Sequence, residues 1–270
     1  MIDQFLEGKG ALITGGASGF GRGVAYAFGE VGADLVLVDV KEDLLIETSK
    51  KVAEKTGRRV IPIVCDVTKS DQVQAMAKKA FSELENIYFL FNNAGISLGY
   101  RKDFIKVDED LYDLTMNINL KGAWLVAKEI CRKMRSQKFK PLSGKIVNVS
   151  SIFGLFPNER TFPYSLSKAG VIAMTKMMAK TLVPKITVNC ISPGFHITGI
   201  YKDDLDTMMS VYKDGQVITP LNRFGTVEDV CDIMLFLASS ASDFITGHNF
   251  CIDGGIAEIG VHSHYIKDNI

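Results

Sequence analysis

Tyr164 and Lys168 stand four residues apart in "YSLSK", directly after Pro163. A proline suits the first turn of a helix, and residues four apart share a helix face, so the phenol and the ammonium point the same way. A free tyrosine titrates near ~10 and is a poor base at neutral pH, whereas a cation beside it favours the phenolate. The spacing thus describes a pair able to move a proton. The same spacing also fits an ordinary exposed helix turn.

A second constellation lies near the start, where the run "ALIT" leads into "TGGASGFG", Thr14 to Gly21. Gly15, Gly19 and Gly21 let the backbone turn tightly and leave room for a pyrophosphate at the N-terminus of the helix that follows. The next apolar run, "LVLVDV", ends at Asp39, 18 residues past Gly21. A carboxylate there can accept hydrogen bonds from the ribose hydroxyls of an adenosine, which favours NAD over NADP. A 2′-phosphate would meet that carboxylate at close range, and neither Ala17 nor Ser18 supplies a cation, although Lys41 is near in sequence. Capping of the next helix is the other role open to Asp39.

These residues need a frame. Seven short apolar runs, "ALIT", "DLVLVD", "RVIPIV", "IYFLFN", "GKIVNVS", "ITVNCIS" and "NFCID", alternate with segments of helical period at 19–31, 41–56, 70–84, 109–136, 163–182 and 226–239. Most of the runs are apolar on both faces. The alternation predicts βαβ units in one Rossmann-like, doubly wound α/β domain spanning 1–270, a seven-stranded parallel sheet flanked by helices. Ligands in such folds sit beyond the carboxyl ends of the strands, where both constellations fall.

Composition narrows the partner. Lys plus Arg and Asp plus Glu both total 31, so the formal net charge is zero and no broad footprint for nucleic acid or anionic lipid exists. A small molecule is the expected partner. The five cysteines form no CxxC pair and read as buried, reduced thiols. With no apolar leader and no membrane-length run, a cytoplasmic protein is expected.

Taken in order, "TGGASGFG", "CDV" at 65–67, "NNAG" at 92–95, Asn119 in "MNINLKG", "VSSIFG" at 149–154, "YSLSK" and "SPGFHIT" at 192–198 make the chain resemble the short-chain dehydrogenase/reductase family over residues 8–255. The resemblance implies Tyr164 as catalytic acid/base and Lys168 as its partner, which also holds the nicotinamide ribose. It implies Ser151 as the group that fixes the substrate oxygen, the family's serine lying three residues before a glycine, here Gly154. Asn119 would anchor a water on the proton path to Lys168. The cofactor set implied comprises Gly15, Ser18, Gly19, Phe20, Gly21, Asp39 and Val40 at the glycine turn and ribose, with Asp66 and Val67 at the adenine. Asn92, Asn93, Ala94 and Gly95 would shape the floor, and Pro193, Gly194, His196 and Thr198 the nicotinamide end, beside Tyr164 and Lys168. A homodimer or homotetramer is also implied.

Two departures stand out. His196 replaces the family's usual isoleucine or valine, at a position whose backbone grips the carboxamide; its ring could meet a ligand or serve structure. The segment "MMAKTLVPKITVNC" is about one residue short and has Thr181 where an acidic residue is common.

For the substrate, Phe153, Phe156, Phe195 and Tyr201 are candidates, and Tyr201, Leu205, Met208, Met209 and Tyr212 recur at helical spacing as a flap over 199–213. The flap's apolar face covers either the site or the core. This apolar mouth leads to the expectation of a bulky cyclic alcohol or ketone such as a hydroxysteroid or bile acid. The alternatives are a small polar, sugar-derived or acyl ketone, and a non-catalytic dinucleotide-sensing scaffold. The tail 256–270 is expected to be flexible or intersubunit, and His262 with His264 alone do not make a metal site.

Overall fold

A computed structural model of the chain describes residues 4–98, 103–198 and 218–260. Seven strands, β1 (Gly10–Thr14), β2 (Asp34–Asp39), β3 (Val60–Val64), β4 (Phe89–Asn92), β5 (Gly144–Val149), β6 (Ile186–Pro193) and β7 (Asn249–Ile252), form one sheet. The order is β3-β2-β1-β4-β5-β6-β7, and every neighbouring pair is parallel. All seven runs expected as strands form strands of this sheet.

The strands are apolar on both sides because helices cover both faces. On one face, Ala11, Ile13, Leu35 and Leu37 pack against Val24 and Phe28 of α1 (Gly19–Glu30), Leu45 and Val52 of α2 (Glu42–Thr56), and Val230 and Met234 of α7 (Val227–Ala238). On the other, Leu12, Val36, Val38 and Leu90 meet α3 (Ser70–Leu84), α5 (Ala123–Met134) and α6 (Phe162–Leu182). Alternate residues of one strand thus feed two separate cores.

The segment expected as one helix over 109–136 is instead α4 (Glu109–Met116), a π turn (Asn117–Gly122) and α5. The extra residue in the turn changes the direction of the side chains, and π insertions of this kind often mark functional sites. Gly122 lets the turn lie on β3's exit loop, since a Cβ there would come within 2.7 Å of Val67 Cγ2.

The five cysteines are free, four of them buried. Burial pushes their thiols up, to about 11 for Cys65 and Cys251 and about 12 for Cys131, Cys190 and Cys231, so all remain protonated and unreactive at neutral pH. Among the described residues no helix is long and apolar enough to cross a membrane. The flap expected over 199–213 with Tyr201, and His262 and His264 of the tail, lie outside the described residues.

Candidate active site

The glycine turn joins β1 to α1. Gly15 has φ +66°, and a Cβ on it would lie 2.7 Å from Asn93 Nδ2, so glycine is required both by conformation and by the close approach of the loop after β4. A Cβ on Gly21 would run into the carbonyl of Gly15. Gly19, at φ +53°, has open space where its side chain would be. The turn is therefore a hollow at a helix N-terminus, the cradle a pyrophosphate requires.

Thr14 locks this turn to its neighbour. Its Oγ1 accepts from Asn93 N (2.9 Å) and Ala94 N (3.0 Å), while Asn93 Nδ2 donates to Thr14 O at 2.9 Å. Asn92, by contrast, is buried beneath the floor and donates to Ala123 O and Asn148 Oδ1. The strand-end position of Thr14 was the only sequence signal for its part.

Asp39 ends β2 and reaches back to the turn. Its Oδ2 accepts from Ala17 N at 3.2 Å, and Oδ1 accepts from Val40 N and Lys41 N at 2.8 and 3.1 Å. It does not cap α2, whose N-cap is Lys41 without a side-chain cap. Val40 is exposed. After β3, Asp66 Oδ1 accepts from the amide and hydroxyl of Thr68, and Val67 is buried.

At the carboxyl ends of β4, β5 and β6 lies a cleft of about 120 Å³. Ser151, Tyr164 and Lys168 line it together with Asn93 and Gly95. Its far wall is Pro193, Gly194, Phe195, His196 and Thr198, and Phe20 and Phe153 close its sides. Ile96, Ile152 and Phe224 also line it, and of these the sequence reading missed Phe224. Phe224 comes from a stretch without periodic signal. Phe156 is exposed and is not among the lining residues.

Ser151 caps a 3-10 turn (Ile152–Gly154), and its Oγ accepts from Phe153 N at 3.2 Å, which leaves the hydroxyl proton to be donated. Gly154 is needed because a Cβ would lie 2.8 Å from Lys168 C and 2.9 Å from Ala169 N, so the turn packs directly on the backbone of α6. Lys168 is fully enclosed, and its Nζ donates to Val149 O at 2.9 Å and sits 5.5 Å from the centre of the Tyr164 ring. Burial pushes its ammonium down to about 8. Phenol and ammonium are on one helix face, as the spacing predicts.

Asn119, on the π turn, grips the loop after β4. Its Oδ1 accepts from Ile96 N at 2.8 Å, and Nδ2 donates to Ile96 O at 2.9 Å and to Ser167 Oγ at 3.1 Å. A Cβ on Gly95 would lie 3.2 Å from Asn119 Oδ1 and 3.4 Å from Lys168 Nζ, so these three residues converge on one point.

Residues 15–257 match the family model described as "Enoyl-(Acyl carrier protein) reductase". The chain is 37% identical over 252 residues to a 3-oxoacyl-[acyl-carrier-protein] reductase of Thermotoga maritima, covering 93% of this chain and 98% of that one. It is 35% identical over 259 residues to an NAD-dependent glycerol dehydrogenase of Listeria innocua, covering 94% and 95%. Among solved structures, NAD+-bound xylitol dehydrogenase superposes with a TM-score of 0.84 at 29% identity, over 93% of this chain and 99% of that one. Sheet order, glycine turn and matched length agree, and the chain belongs to the short-chain dehydrogenase/reductase family, as a nicotinamide-dinucleotide oxidoreductase that acts on a CH–OH group.

Proposed function

We propose that this chain is an NAD(H)-dependent enzyme that interconverts a secondary alcohol and its ketone, on a small polar, sugar-derived or acyl substrate. The observation that carries this reading is the convergence of Ser151, Tyr164 and the enclosed Lys168 on one cleft of about 120 Å³. When bound, the nicotinamide ring accepts or delivers the hydride. In oxidation, Tyr164 Oη takes the hydroxyl proton of the substrate, and in reduction it returns it. Ser151 Oγ donates to the substrate oxygen and fixes the reacting carbon. The Lys168 ammonium favours the phenolate of Tyr164, and Asn119 anchors the route by which protons reach that lysine.

Asp39 supports NAD over NADP, because its carboxylate already faces the turn where a 2′-phosphate would have to lie. The glycine turn would hold the pyrophosphate through Gly15, Ser18, Gly19, Phe20 and Gly21, with Asp39 and Val40 at the ribose and Asp66 and Val67 at the adenine. Asn93, Ala94 and Gly95 form its floor, and Pro193, Gly194, His196 and Thr198 meet the nicotinamide end. Phe153 and Phe195, packed edge to face at 6.1 Å, bound the substrate.

The relatives act, by their names, on acyl ketones, glycerol and xylitol. That favours the small substrates over the bulky apolar alcohol expected from the aromatic residues. NADH formation across glycerol, other polyols, 3-hydroxyacyl thioesters and hydroxysteroids tests this, with Tyr164→Phe as control. Turnover of polyols or hydroxyacyl thioesters, lost in the control, is expected. Turnover of hydroxysteroids alone would restore the bulky substrate, and cofactor binding with no turnover would make the chain a dinucleotide-sensing scaffold.

A further inference from the structure

The loop after β6 carries an imidazole for which hydride transfer has no use. His196 is 7% exposed, and its two nitrogens are in unlike situations. Nδ1 lies 3.2 Å from Gly194 O. A carbonyl only accepts, so Nδ1 holds the proton and Nε2 carries the lone pair. Nε2 is buried without a hydrogen-bond partner among the described residues.

The ring is held on two sides. It meets Phe20 of the glycine turn edge-on, with centroids 5.3 Å apart and planes at 85°. Opposite, it fills the room that a side chain at Gly225 would need, for a Cβ there would fall onto Nε2, Cδ2 and Cε1. The backbones are joined at the same place, Gly225 N donating to Phe195 O at 2.9 Å and Ile197 N to Gly225 O at 3.0 Å.

We propose that His196 is a positioning residue: as a neutral imidazole it pins the loop 194–198 between the glycine turn and Gly225, and cofactor affinity depends on that ring remaining uncharged. The proposal rests on the cleft being the nicotinamide end of the cofactor site. A proton on Nε2 would add a donor where no hydrogen-bond acceptor among the described residues is placed to receive it, and a charge in a buried place.

The charged groups facing the ring are already engaged. Asp229, at the start of α7, is gripped by Arg223 through bonds of 2.7 and 2.9 Å and also accepts from Thr226 N. Asp253, after β7, accepts from Gly255 N and Ala257 N. Phe20 brings no charge from α1. Burial, with a smaller push from the Arg223 guanidinium, accordingly holds the imidazole below its ordinary value, against weaker opposing pulls from Gly194 O, Asp229 and Asp253. The sign follows: a base whose folded value is depressed pins the loop while pH stays above that lowered value, and the pin fails as pH falls through it.

Affinity for NAD+ measured from about pH 7.5 downward through the titration of the His196 ring tests this in the parent, in His196→Val, in Gly225→Ala and in the double variant. The parent should lose at least ~5-fold in affinity within a pH unit below the titration of the ring, while His196→Val should change less than ~2-fold over the same unit. Gly225→Ala should expel the ring and weaken binding at about pH 7.5 by ~10-fold, and the double variant should return to the His196→Val value. Parallel pH profiles in the parent and His196→Val would overturn the proposal. So would an affinity that rises in acid, which would mean the imidazolium turns to the pyrophosphate.

A direct measurement avoids any folding defect in the variants. The His196 ring, titrated by NMR with and without NAD+, should protonate at lower pH when the cofactor is bound; an equal or higher value sinks the proposal. Absence of NAD+ binding altogether would instead overturn the reading of the cleft.

Discussion

Asn119 pairs its side-chain amide with the backbone of Ile96 in both directions, accepting from N at 2.8 Å and donating to O at 2.9 Å. The amide behaves as a one-residue strand, and it fastens the loop after β4 to a π turn that itself leans on α6 through Ser167. Floor and catalytic helix of the cleft are thereby held in one register.

Asn119→Asp keeps the size and removes the Nδ2 donor, leaving Ile96 O and Ser167 Oγ without it. The expected outcome is a fall in kcat of ~10- to 100-fold, the scale of losses when a catalytic group is displaced by about an ångström. Steady-state kinetics with a bound-cofactor titration checks it; an unchanged kcat would mean the loop holds its place unaided.

Lys168 carries a charge that its surroundings penalise. Its folded value is lowered to about 8, so the cost is complete below that pH and is relieved as pH climbs toward the ordinary lysine range. The stability difference between the parent and Lys168→Met should therefore shift in favour of the parent above about pH 8, by up to ~1.4 kcal/mol per pH unit. Urea denaturation on both sides of that value measures it, and a flat difference would mean the ammonium is solvated.

Asp39→Ser removes the carboxylate that faces the glycine turn. The ratio of NAD to NADP affinity should fall by ~10-fold or more, about 1.4 kcal/mol of discrimination. Some NAD affinity should be lost as well, since Ala17 N loses its acceptor. A ratio that does not move would place the adenosine ribose elsewhere.

Lys145 is buried at the amino end of β5, where its Nζ meets Asp243 Oδ1 at 2.6 Å and donates to Ser242 Oγ at 2.9 Å. Asp243→Ala leaves that ammonium enclosed without a counter-ion, its remaining acceptors being Ser239 O and Ser242 Oγ, and should cost ~2–3 kcal/mol, less than the ~3–5 kcal/mol of a fully buried pair because Asp243 is 22% exposed. Lys145→Met, which removes the charge and fills the space, should cost less. Chemical denaturation ranks them, and the reverse order would show the pair to be solvated.

Much of this was legible in the sequence, for identifiable reasons. All seven strands stood out because a sheet covered on both faces demands continuous apolar runs such as the "LVLV" of "DLVLVD", and Tyr164 with Lys168 because helical period fixes their relation. The π turn was not legible in 109–136. Its extra residue is imposed by bonds to Ile96 and Ser167, distant in sequence, and not by local periodicity. Burial of Lys145 was hidden likewise, since its partner comes from a loop nearly a hundred residues on. Phe224 reaches the cleft from an irregular stretch, where pattern carries no information.

The lock between Thr14 and Asn93 joins residues 79 positions apart, across the pairing of β1 with β4 at the centre of the sheet. Each half of the nucleotide cradle thus supplies part of what holds the other's backbone. Full dinucleotide affinity during renaturation should consequently appear as a late event, after the slow closure of non-local parallel strands, and a nascent chain ending before β4 should bind the cofactor more weakly than the whole chain.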